Sequence, residues 1–167
     1  MPRRPLDDDP ADRIGQAYDR HAAGLYRYAL MLLGDTASAA DAVHEVFLRL
    51  VRGRQQDEHV EYEDRYLRRA VRNECFSALR RRIREPNSND RLIEPAGATS
   101  DDPEMRAGIE QALRSLPPEQ REVVHLKVFE GMTFQEIADV SDESINTIAS
   151  RYRYAMDKLR AFLNASK

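Results

Sequence analysis

The stretch from Leu116 to Leu163 narrows the fold of this chain more than any other. A short patterned segment, Thr133-Phe-Gln-Glu-Ile-Ala-Asp139, is followed by a brief polar turn. A longer segment, Ser144-Ile-Asn-Thr-Ile-Ala-Ser-Arg-Tyr-Arg-Tyr154, then runs on to Leu163. This is the layout of a helix-turn-helix, whose second helix enters the major groove of DNA. Ile137, Ala138 and Ile148 are the apolar pins expected where the two helices cross, and the small Ala138 permits close approach. Ile148, Tyr152, Ala155, Leu159 and Phe162 recur at helical spacing and predict a buried stripe. The remaining face carries Asn146, Thr147, Ser150, Arg151, Arg153 and Tyr154, side chains that hydrogen-bond base edges or phosphates. A plain helical hairpin with a solvated face shares the pattern, so it is only moderately specific by itself.

A second basic segment lies in a separate block upstream. From Arg65 to Arg84 eight arginines stand against Glu74 alone, a balance of +7. From Asp35 to Asp64 eight carboxylates stand against three arginines, a balance of -5. The net charge of -3 over 167 residues hides this separation. Basic segments suit phosphate, and acidic ones suit a basic protein partner or plain solvation.

Composition favours helices: Leu, Ala and Arg are plentiful and Trp is absent. Hydrophobic content of 41% is enough for a core. Cys75 is the single cysteine, which excludes an internal disulfide and a cysteine-based zinc site; a buried apolar role fits it best. No apolar run approaches the ~20 residues that cross a bilayer, and Met1 to Asp9 lacks the apolar core of a signal peptide. The expectation is a soluble, cytoplasmic protein without membrane insertion.

Periodicity predicts a first helix over Asp12 to Leu33, with Ile14, Tyr18, Leu25, Tyr28, Ala29 and Leu32 inward. Gly34 stands at the expected stop, and Asp35 or Thr36 can cap a second helix. That helix carries Val43, Val46, Phe47, Leu50 and Val51 on one face and ends near Gly53. A third helix, Glu63 to Glu85, places Leu67, Ala70, Val71, Ala78 and Leu79 inward before Pro86. Residues 86–104 have linker composition and predict a flexible tether. Beyond it, Ile109, Leu113 and Leu116 form one short helix, and Glu119 to Glu130 the next, ended by Gly131. Thr133 with Glu136 three residues on is a capping-box pattern. The expected fold class is all-α. Two small helical domains, 11–85 and 105–167, come after a disordered 1–10, and the second is a helix-turn-helix, winged-helix-like but without strands.

Tyr62 and Tyr66 stand before the arginines, where an aromatic ring could stack on an exposed base. The one-sided excess of Arg68, Arg69, Arg72, Arg80, Arg81 and Arg82 points to phosphate tracking rather than a solvated charge run. Asp41, His44, Glu45 and Arg49 share or adjoin one face of the second helix. Neighbours on a helix point about 100° apart, so His44 and Glu45 converge poorly on one ion. No Gly-rich phosphate loop and no nucleophile elbow is present. Neither catalysis, nor a metal, nor a cofactor is therefore expected, and protein docking is the better reading of that face.

Taken together these segments resemble a bacterial RNA polymerase sigma factor of the extracytoplasmic-function (ECF) type, in the sigma-70 superfamily. Asp41-Ala-Val-His-Glu-Val-Phe47 looks like the Asp-x-x-x-Glu-Val-Phe segment of sigma region 2. Tyr66-Leu-Arg-Arg-Ala-Val-Arg-Asn73, leading into Leu79-Arg-Arg81, resembles one later segment of the same region. Leu116-Pro-Pro-Glu-Gln-Arg121 is similar to the opening of region 4, completed by Glu136-Ile-Ala138 and Thr147-Ile-Ala-Ser-Arg151. Each fragment is weak; five in order are strong. Tyr66 stands where the family usually has Trp, His44 where it has Gln, and Ala149 where it has Lys or Arg. Ser141-Asp142-Glu143 replaces the common Leu-Gly-Val, and Asp142 tolerates the left-handed conformation such a turn needs.

The resemblance implies core RNA polymerase and promoter DNA as partners, an expected anti-sigma factor, and a monomer when free. Asp41, His44, Glu45, Phe47 and Arg49 match the polymerase-binding helix. Tyr62, Tyr66, Arg68, Arg69, Arg72, Asn73 and Arg80 match the surface for the -10 element and strand opening. Asn146, Thr147, Ser150, Arg151, Arg153 and Tyr154 match the reader of the -35 element. The rival reading is a stand-alone helix-turn-helix regulator, which would bind DNA tightly without polymerase.

Overall fold

The computed structural model describes residues 10–53, 64–85 and 103–165, and the secondary structure among them is helical. The chain divides into two compact units, Met1–Ile93 and Glu94–Lys167. The division falls within the stretch read as a tether. Of the disordered start read over 1–10 and the tether read over 86–104, residues 1–9 and 86–102 lie outside the described residues, whereas Pro10, Pro103 and Glu104 are helical.

The first unit packs three helices against one another: α1 (Pro10–Leu33), α2 (Thr36–Arg52) and α3 (Asp64–Arg84). Leu25, Tyr28, Ala29 and Leu32 stand at the first, fourth, fifth and eighth places of one α1 face and are fully buried. Ala39, Val43, Val46 and Phe47 of α2 and Leu67, Val71 and Cys75 of α3 are buried likewise, and the three helices pack pairwise. Gly34 ends α1 at φ 78°, and its N–H bonds Leu30 O at 2.8 Å, a left-handed stop that costs glycine least. Asp35, buried, then caps α2 by accepting from Ser38 N at 2.7 Å. Two inward assignments fail. Val51 is exposed, one turn past Phe47, the last buried residue of α2. Tyr18 is also exposed, although its ring meets Phe47 edge-on at 5.0 Å.

The α1–α2 turn is fastened from a distance. Arg82, near the end of α3, donates to Leu33 O and Ser38 Oγ at 2.8 Å each and pairs with the Asp35 carboxylate. Burial pushes the Asp35 carboxyl up, but hydrogen bonds from Ser38 and Arg82 outweigh it and hold the carboxyl below its ordinary value. Arg82 is thus a clasp within the unit rather than a phosphate tracker.

The second unit contains α4 (Pro103–Ser115), α5 (Pro118–Val124), α6 (Phe134–Ser141) and α7 (Ile145–Ala165), with α7 packing on the other three. Leu116, Val124 and Ala155 form a core completed by Leu113, Tyr152, Met156 and Leu159. The single helix expected from Glu119 to Glu130 is instead α5 followed by a π turn, His125–Phe129. The wider turn keeps Leu126 buried, while Val128 and Phe129 emerge at the surface. His125 stacks on Phe129 and approaches Glu130 at 3.4 Å. Gly131, at φ 69°, closes the segment.

Candidate nucleic-acid and protein interfaces

The helix-turn-helix is built by three local devices. Both arms of the capping box form: Glu136 N donates to Thr133 Oγ1 at 3.2 Å, and Thr133 N donates to Glu136 Oε2 at 2.7 Å. The bond from the Thr133 backbone, helped by its hydroxyl, holds the Glu136 carboxyl below its ordinary value. Asp142 takes the left-handed conformation (φ 57°, ψ 42°), and Glu143 N bonds Ala138 O at 3.1 Å, closing α6 tightly. Ser144 starts α7 by accepting from Thr147 N at 3.1 Å. Ile137, Ala138 and Ile148 are buried where the helices cross.

This places the expected -35 residues on two adjacent stripes of α7. Asn146, Ser150 and Arg153 lie at four- and three-residue spacing, as do Thr147, Arg151 and Tyr154. Asn146, Arg153 and Tyr154 are exposed, with the Arg153 guanidinium 5.3 Å from the Tyr154 ring centre. Ser150 is half-buried. Thr147 is drawn into the cap, its hydroxyl 2.8 Å from that of Ser144. Arg151 is folded back, with Nη2 donating to Glu143 Oε1 at 2.8 Å.

On α3 the structure sorts the arginines. Tyr66, Arg69, Asn73 and Arg80 fall on one exposed stripe. Arg80 donates to Ser77 Oγ at 2.9 Å, and Arg72 lies half-buried with its guanidinium 4.5 Å from the Phe76 ring centre. Arg68 departs from its expected place on this surface. It is buried, 5.3 Å from the Tyr28 ring centre, and bonded to Asp64 at 3.3 Å. It shares the buried stripe of Val71 and Cys75, three and seven residues further on. Tyr62 lies outside the described residues.

On α2, Asp41 and His44 are exposed and Glu45 half-buried. Leu48 and Val51 extend the same outward face, and both are exposed. Leu48 escaped the sequence reading, although its four-residue step from His44 would have found it. Arg49 donates to Glu45 Oε1 at 3.2 Å and pairs with Glu74 of α3, which also holds Arg81 at 3.3 Å. Hydrogen bonds to Glu74 and then Glu45 raise the Arg49 pKa further. Asp41, Glu45, Arg49, Glu74 and Arg81 thus line a mixed-charge cleft between α2 and α3. Phe47, expected among the polymerase-binding residues, is not on this outward face. It is buried with Val43 and Val46, against Tyr18, and supports that face from beneath.

Among the described residues no three His, Cys, Asp or Glu side chains gather as a metal site, and no helix is long and apolar enough to cross a membrane.

Two family descriptions match this chain: sigma-70 region 2 over residues 17–85 and sigma-70 region 4 over residues 106–159. The ECF RNA polymerase sigma factor SigL of Mycobacterium tuberculosis is 33% identical over 159 residues, covering 87% of this chain and 86% of SigL. SigE of Mycolicibacterium smegmatis is 32% identical over 86% of this chain, which spans 59% of SigE. Among solved structures, the sigma factor RpoE of Bartonella quintana, in complex with the anti-sigma factor NepR, shares the fold. Its TM-score is 0.68, with 24% identity over 92% of this chain and 98% of RpoE. CnrH, in complex with the cytosolic domain of CnrY, has a TM-score of 0.62 and 23% identity, covering 92% of this chain and 89% of CnrH. The likeness runs through both units, which disfavours a stand-alone helix-turn-helix regulator.

Proposed function

The chain belongs to the ECF RNA polymerase sigma factors, proteins of promoter-directed transcription initiation, and we propose that its exposed helix faces divide that work. The outward face of α2, with Asp41, His44, Glu45, Arg49 and Leu48, docks on core RNA polymerase. Its charges steer the approach and Leu48 supplies apolar contact. The exposed stripe of α3 engages the -10 element. Arg69 and Arg80 meet phosphate, Asn73 hydrogen-bonds a base edge, and Tyr66 stacks on an unpaired base. The N-terminal half of α7 reads the -35 element with Asn146, Ser150, Arg153 and Tyr154.

The protein itself performs no covalent chemistry in this reading; the polymerase does. The observation that carries it is the stripe of Tyr66, Arg69, Asn73 and Arg80, aligned outward on a helix that folds Arg68 and Arg82 into its own unit. A chain with two DNA-facing units gains avidity once both DNA elements are in reach. An anti-sigma factor is a further expected partner, since RpoE was solved with the anti-sigma factor NepR. In-vitro transcription with core polymerase on genomic fragments is the test. The expected result is RNA starting at defined positions only when the chain is added; failure to associate with core polymerase overturns the proposal.

A further inference from the structure

Arg151 stands on the helix face assigned to duplex recognition, yet its guanidinium is turned away from that task. Nη2 donates to Glu143 Oε1 at 2.8 Å, and Nη1 is sealed from solvent without a hydrogen-bond partner. The side chains are 24% exposed for Arg151 and 35% for Glu143, so the pair is partly shielded from water. The backbone of Glu143 is held in place. Its backbone N–H is tied to Ala138 O, next to the left-handed Asp142. The Glu143 side chain therefore springs from a fixed point at the entrance to α7, eight residues before Arg151 and within reach of it.

A sealed N–H without an acceptor is unfavourable, so the stowed arginine is held by one strong bond and opposed by one unmet donor. A phosphate group can satisfy the guanidinium with two parallel bonds, which a single Glu143 oxygen does not. The two anions compete for one cation.

Resting on the assignment of α7 as the duplex reader, we propose that Glu143 sets the affinity of this helix for DNA: it stows Arg151 against the protein until a phosphate displaces it. The unit thereby weakens one sequence-independent contact with every duplex it meets. Its selectivity then leans on Asn146, Ser150 and Arg153.

The test uses the full chain bound to core polymerase and a duplex selected by that wild-type complex from randomised DNA. Glu143→Gln keeps the size of the side chain and removes its charge. The expected result is binding about five-fold tighter, the scale of one exposed ion pair that no longer has to be broken. In an Arg151→Gln background the same substitution produces no gain. An equal gain in both backgrounds overturns the latch, because it means that Glu143 merely repels DNA. No gain, or a loss, in the wild-type background overturns it too. Arg153→Ala separates this failure from failure of the underlying assignment: if it weakens binding while Glu143→Gln changes nothing, only the latch falls. If Arg153→Ala and Arg151→Gln both leave binding unchanged, the assignment of α7 falls and takes the latch with it.

Discussion

Arg82→Ala should loosen the first unit while leaving its exposed basic stripe intact. The wild-type guanidinium makes three contacts, to Leu33 O, Ser38 Oγ and the buried Asp35 carboxylate. A hydrogen bond between charged groups contributes about 1.5 to 3 kcal/mol, and bonds to neutral acceptors about 1 kcal/mol each. Breaking a fully buried ion pair costs about 3 to 5 kcal/mol. The Arg82 side chain is 37% exposed, so water reaches the groups it would abandon and the cost falls below that range. We expect about 2 to 3 kcal/mol, a large share of the ~5 to 15 kcal/mol that holds a domain. Asp35 adds a pH dependence. Its carboxyl lies below its ordinary value of 3.8, so the folded unit binds fewer protons than the unfolded chain. That stabilisation is complete above the ordinary value and is lost as pH falls through the lower, folded one. The gap between wild type and Arg82→Ala should therefore narrow in acid. Urea unfolding, with amide exchange resolved over α1–α2 and the end of α3, measures both. Arg80→Ala, on the exposed stripe, is the reference and should change stability by less than about 0.5 kcal/mol. If Arg82→Ala is equally mild, the clasp is ornamental and the reasoning is wrong.

Phe47→Ala should destabilise the first unit by about 3 to 5 kcal/mol in the same unfolding assay, as expected for a buried aromatic. His44→Ala should leave the fold unchanged but weaken capture of core polymerase in a pull-down. Asn73→Ala should impair promoter opening, read by permanganate footprinting, more than polymerase binding; equal losses count against a base contact. Thr133→Ala removes both side-chain bonds of the capping-box hydroxyl and should cost about 1 kcal/mol, seen as a lower Tm.

Local chemistry made most of the helices legible. Gly34, Asp35, Gly131 and Thr133 each end or begin an element by rules that involve only close neighbours in the chain. The apolar periods of α1 and α7 found their buried faces for the same reason. What stayed hidden depends on distant partners. Arg82 and Arg68 look alike in a run of arginines. One clasps a turn nearly fifty residues away and the other lies beside Tyr28. Phe47 belongs to a recognisable motif, yet whether a motif residue points outward depends on the neighbouring helix, here α1 carrying Tyr18. The π turn at His125–Phe129 left no trace in the apolar pattern, since Val123, Val124 and Leu126 suit either helix. The site was therefore readable as a set of faces. Which arginines face solvent and which serve the fold emerged only from packing.

Cys75 has a practical consequence. It is the single thiol of the chain, fully buried on α3 just two residues from Asn73. A thiol-reactive dye can modify it only after that helix lifts from its neighbours, so the labelling rate becomes a clock for breathing of the proposed strand-opening surface. Strand capture that braces α3 should slow this clock, and it can be read without introducing any reporter.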